Sequence, residues 1–82
     1  MAGRRLRCPD EDYEYLQRLR DWLITDKIAL RHLEERAEME RRMGRLEEAE
    51  RTHRLIRLYH SRIRQTESEI KKLEEKCFAG EA

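Results

Sequence analysis

Histidines, cysteines and arginines are the residues of this chain that could do chemistry, and their spacing limits what each can reach. His53 and His60 stand seven residues apart. On a helix that is two turns, about 10 Å, so the two imidazoles cannot share a metal, which needs ligands three or four residues apart. Both lie at the edge of an apolar seam, where a histidine packs its ring. Cys8 and Cys77 are too few for a metal cage or a multi-bridge scaffold, and stand as one candidate disulfide. There is no Ser-His-acid arrangement, no Gly-rich phosphate loop and no pair of carboxylates with a pocket around it. The expectation is a non-enzyme with no catalytic residue, metal, cofactor or small-molecule substrate.

The arginines carry the stronger signal. From Arg51 to Gln65 there are five of them, with two histidines and no acid. Arg54, Arg57 and Arg64, continued by Lys71, fall away from the seam of a helix and form a basic stripe of the shape that suits phosphates. With Arg51 they are the candidate contacts for an anion or a nucleic acid. Against that reading, no base-stacking aromatics accompany them. The net charge of the chain is only +1, and arginine also solvates helices and pairs with glutamate on neighbouring chains. A protein partner or a homodimer is therefore the first expectation and a nucleic acid the alternative.

Two helices must position these groups. Ala49, Ile56, Ile63, Ile70 and Cys77 recur every seven residues, and Thr52, Tyr59, Thr66 and Leu73 follow the first four by three. That is a heptad seam without Gly or Pro, one helix over about 46–77. Upstream, Leu16, Leu23, Leu30 and Ala37 recur by seven, Leu19 and Leu33 follow two of them by three, and Tyr15, Trp22 and Ala29 widen the stripe on one flank. This predicts a first helix over about 10–42, with Asp10 capping it and Glu11, Asp12 and Glu14 in its first turn. Asp26 falls on the first seam as a misfit. Thr25, beside it, could open a new helix.

The seams are out of phase, since seven-residue steps from Ala37 reach Gly44 and Arg51 while the second seam runs through Ala49 and Ile56. Gly44, a residue suited to the left-handed end of a helix, marks the reset. The run Gly44-Arg45-Leu46-Glu47-Glu48-Ala49 resembles the inter-helix turn of tetratricopeptide repeats, although the aromatic and small positions expected upstream are Glu40 and Arg36. The resemblance implies a turn at 43–45 and no more. The fold class expected is all-α, an antiparallel two-helix hairpin of coiled-coil type in one domain, with flexible ends at 1–8 and 79–82. The rival is one continuous helix that dimerises along its length.

In the hairpin, residues whose numbers sum to about 86 to 88 lie level. That brings Asp26 toward His60, His32 toward His53, and Cys8 toward Cys77. It also gathers the acidic segments 10–14 and 67–75 at the open end. Off the seams lie Trp22, Ile24, Ile28, Leu55 and Leu58, expected to form one mid-hairpin patch as a protein interface. A lone hairpin buries one seam, so a second hairpin or a foreign helix should complete a bundle. The basic start has no apolar segment after it and no run is long enough to cross a bilayer, so the expectation is a soluble intracellular protein with no membrane partner.

Overall fold

In the computed structural model, residues 7–78 are described, and the end segments 1–6 and 79–82 lie outside them. Helix α1 spans Asp10–Arg42 and helix α2 spans Leu46–Phe78, 33 residues each. They pack antiparallel along their whole length, in a rod 59 Å long and 23 by 21 Å across. The continuous-helix rival is excluded. Helix α1 runs unbroken through Thr25, whose hydroxyl lies 3.2 Å from the Asp21 carbonyl one turn back.

The start of α1 differs from expectation in its cap. Pro9 occupies the cap position, no side chain caps the helix, and the Pro9 carbonyl accepts from the N–H groups of Asp12 and Tyr13. Asp10 is the first helical residue, where its charge still favours the positive end of the helix dipole. Of the end expected to be flexible, residues 1–6 lie outside the described residues; Arg7 donates its N–H to the Cys77 carbonyl at 2.9 Å, and Cys8 is buried.

At the other end, the turn is a Schellman motif. Gly44 adopts φ +75°, its N–H bonds the Arg41 carbonyl, and the Arg45 N–H bonds the Glu40 carbonyl at 2.8 Å. Arg45 then leads into α2, its carbonyl taking the N–H of Ala49. One residue thus ends one helix and starts the next. A Cβ added at Gly44 would meet nothing within 4 Å, so the only cost of Gly44→Ala is the left-handed backbone. We expect a loss of about 1 kcal/mol in thermal or urea unfolding. A continuous helix would instead gain by about as much, so the sign of the change checks the architecture in solution.

The seam is not uniform. Leu16, Leu19 and Ile70 form a cluster near the open end, with Leu23, Leu73 and Phe78 packed on it. Toward the middle and the turn the buried positions pass to Asp26, Ile63, Thr66, Ile56, Thr52, Ala49, Ala37 and Glu40. Leu30, Leu33 and Tyr59 are only half-buried. The apolar grip is at the open end.

Candidate interaction surfaces

Each helix turns about 100° per residue, so the side chains beside the seam divide into two flanks. The first flank is zipped by charge across the helices. Arg20 binds Glu74 at 2.8 Å and Lys27 binds Glu67 at 3.4 Å, on the side that also carries His53 and His60. The second flank carries Tyr15, Trp22 and Ala29 from α1 and Leu55, Arg62 and Glu69 from α2. There Tyr15 donates its hydroxyl to Glu69 at 3.2 Å, and the carboxylate pushes the phenol pKa up. A shallow hollow lies between Tyr15, Trp22, Arg62 and Glu69. The acidic segments do meet at the open end, but with cations between them, as Lys76 bound to Asp12 at 2.6 Å shows.

Asp26 turns to a partner other than the one expected. Its carboxylate, in a residue only 4% exposed, is held by the Nε and a terminal nitrogen of Arg62 at 3.0 and 3.1 Å. His60 is exposed and takes no part. The level was right and the flank was wrong: Asp26 leans toward the second flank, where Arg62 emerges, while His60, two residues earlier, points about 200° away. Arg62 also matches both carboxylate oxygens with its planar fork and lies over the Tyr59 ring, 5.5 Å from its centroid. His32 is exposed and lies 3.7 Å from Glu35 on its own helix.

Sequence reasoning missed a second polar insertion. Glu40 is buried in the seam, where its carboxylate accepts from the Thr52 hydroxyl at 2.6 Å and from Arg36 at 3.3 Å. The Thr52 hydroxyl, then Arg36 and Arg45, hold its pKa below the usual carboxylate range, against the opposing effect of burial. Seven-residue steps from Leu19 through Asp26 and Leu33 reach Glu40, so the signal lay in the row that exposed Asp26.

The cysteines are joined. Cys8 and Cys77 form a disulfide with Cα atoms 4.6 Å apart, and Cys77 is 0% exposed. Beside it the rings of Tyr13 and Phe78 meet edge to face at 6.5 Å. The open end is therefore clasped by a covalent bond, a backbone hydrogen bond and an aromatic pair.

The five apolar candidates are all exposed, Trp22 by 54% and Leu58 by 65%, but helix geometry spreads them around the rod. Trp22 and Leu55 edge the second flank, Leu58 stands just behind it, Ile28 is on the back of α1, and Ile24 leans toward the charged flank. They do not form the single patch expected, because residues two apart on a helix point nearly opposite ways. Ile28 and Leu58 remain level, on opposite outer faces. The basic candidates Arg51, Arg54, Arg57, Arg64 and Lys71 are all exposed, and none makes an ion pair among the described residues. No group of metal-ligating side chains occurs among the described residues, and no helix among them is long and apolar enough to cross a membrane. Comparison with protein-family models, with curated proteins and with solved structures finds no match to the chain.

Proposed function

We propose that this chain is a non-enzymatic protein-interaction module, a small helical adaptor, subunit or inhibitor that acts by completing a helical bundle with a partner. The observation that carries the reading is the apolar surface the hairpin leaves in water along the second flank: Trp22, Leu55 and Leu58 are exposed there or just behind it, while Leu33 and Tyr59 in the seam are half-buried. A helix laid along that flank would cover Trp22, Leu55 and Leu58 together, and large exposed apolar side chains flanked by arginine are the usual anatomy of an interface. The hollows between two parallel rods are shallow and open, which suits a side chain from a partner better than a substrate. The proposed location is intracellular, in a compartment oxidising enough to keep Cys8 and Cys77 joined.

Sedimentation velocity tests this reading. The purified chain should associate at micromolar concentration, and Leu58→Glu should weaken association about tenfold or more while the circular dichroism of the helices is unchanged, since a charge replaces an apolar contact at an exposed position. A stable monomer for the native chain, both alone and with extract of its host, would remove the proposal. The basic face of α2 supports a second reading, binding of nucleic acid. That reading predicts retention on a DNA or RNA column that falls steeply with salt.

A further inference from the structure

The large apolar side chains that this hairpin leaves in water are unevenly placed. Nine are exposed among the described residues. Six of them, Tyr15, Trp22, Met39, Met43, Leu55 and Leu58, fall in the seven-residue rows that form or border the second flank. Two shallow hollows mark the same flank. One lies between Tyr15, Trp22, Arg62 and Glu69 toward the open end, the other between Arg36, Met39, Met43 and Glu48 beside the turn. Between them stands Ala29, too small to interrupt the groove. The first flank is crossed by the ion pairs of Arg20 with Glu74 and Lys27 with Glu67, and of the nine it carries only Ile24 and Leu46. From Trp22 to Met39 α1 rises about 26 Å, at 1.5 Å per residue, the span of a partner helix of about five turns.

The borders of the groove are basic on both sides. On α1 the row just outside it holds Arg18, Thr25, His32 and Met39. On α2 the matching row holds Arg51, Leu58, Gln65 and Lys72, and neither stretch contains an acid. Glu11, one step before Arg18, lies past Tyr15 at the clasped end. Arg18, Arg51 and Lys72 are exposed and make no ion pair among the described residues. The two carboxylates inside the groove are already occupied by groups of this chain: Glu69 accepts from the Tyr15 hydroxyl at 3.2 Å, and Glu48 lies 3.7 Å from Arg45. Glu14, Asp21 and Glu35 stand on the back of α1, about 150° round from the seam and out of reach of a helix seated in the groove.

A helix that fills this groove therefore needs an apolar stripe with carboxylates along both edges. A second copy does not supply one. Its own exposed apolar stripe is this same flank, and two copies set flank to flank bring like charges together. We propose that the second flank docks an acidic amphipathic helix of a different protein, its apolar stripe over Trp22, Leu55 and Met39 and its carboxylates on Arg18, Arg51 and Lys72. The inference rests on the protein-interaction reading and states the chemistry of the partner. Met39 and Met43, unbranched and adaptable, suit the end of the groove where the partner's side chains must be accommodated. Docking of the acidic helix should weaken with salt, whereas association of the purified chain with itself, which sets like charges together, should strengthen.

Two synthetic helical peptides of about 21 residues test this, alike in a leucine stripe of three heptads, one with glutamate and the other with lysine on both edges of the stripe. Trp22 is the only tryptophan of the chain, so its emission reports the groove. In low salt the glutamate peptide should shift that emission to the blue, bind about tenfold more tightly than the lysine peptide, and sediment with the chain as a one-to-one complex. Arg51→Glu and Lys72→Glu together in one chain alter exposed residues without ion pairs among the described residues, so circular dichroism should show it folded. Its preference should turn to the lysine peptide. Arg18→Glu, on the other border, should by itself weaken binding of the glutamate peptide. The proposal falls if the glutamate peptide leaves Trp22 emission unchanged, if the native chain binds both peptides alike, or if the folded double variant keeps the native preference. Self-association that the glutamate peptide fails to dissolve would make a second copy the occupant and overturn the proposal. So would a duplex DNA oligonucleotide that shifts Trp22 emission and displaces the glutamate peptide. Tighter binding of the lysine peptide at Trp22 would leave the interaction module standing and remove only the acidic partner.

Discussion

Reduction of the Cys8–Cys77 disulfide should cost this hairpin most of its stability. The bond closes a loop of 69 residues, and the chain-entropy account of cross-links puts the stabilisation for such a loop at about 4 kcal/mol. A single small core with one apolar cluster seldom supplies more than about 3–5 kcal/mol. The reduced chain should therefore be marginal at ordinary temperature unless a partner covers it. Urea unfolding followed by far-UV circular dichroism, with and without reductant, measures the difference. Cys8→Ser should match the reduced native chain and be insensitive to reductant. Cys77→Ser should fall further, because a hydroxyl replaces sulfur at a fully buried site. A midpoint that barely moves on reduction would mean that the apolar grip beneath the bond is sufficient by itself.

Arg62→Ala should be the next most damaging substitution, by about 2 kcal/mol. It strands the Asp26 carboxylate inside the seam, and removing one partner of a buried pair costs about 3–5 kcal/mol when both charges are dry. The Arg62 side chain is 63% exposed, so water can reach the vacated site and the full figure does not apply. Asp26→Leu restores the apolar row of α1, frees Arg62 to solvent, and should leave stability unchanged or improved. In the double variant the loss caused by Arg62→Ala should disappear. The four unfolding free energies form a cycle whose coupling term isolates the pair, and a coupling near zero would show that the bidentate contact adds nothing in solution.

The pair also shows where legibility in the sequence ends. Heptad spacing alone announces two helices, because a row such as Ile56, Ile63 and Ile70 has no other economical home. The phase slip at Gly44 announces the turn, because one continuous helix cannot carry both rows on one face. What spacing fixes is the level of a residue along the rod and its angle about its own helix. It does not fix which flank a long side chain crosses, and so Asp26 could be matched in level to His60 while the arginine two residues on took the contact. Glu40 is hard to read from sequence for a related reason: an acid beside a turn is ordinarily solvated, and only the hydroxyl of the opposite Thr52 makes its burial tenable. The cap of α1 fell to Pro9 because its carbonyl satisfies the first amides without a side chain. Trp22, Ile24, Ile28, Leu55 and Leu58 share a level along the rod but differ in angle about their helices, so they point to different sides of it.

The position of the tight turn bears on the order of folding. Every contact between the arms is nested around Gly44, so the first loop to close is the shortest. Each later contact adds little to the loop already closed, and the chain can zip from the turn outward at small entropic cost. The cysteines, near the far ends of both arms, are then the last pair to meet. With only two of them in the chain, no wrong intramolecular bridge competes. Oxidation therefore follows folding and does not guide it, and a newly made chain carries its disulfide as a record that both arms have already closed.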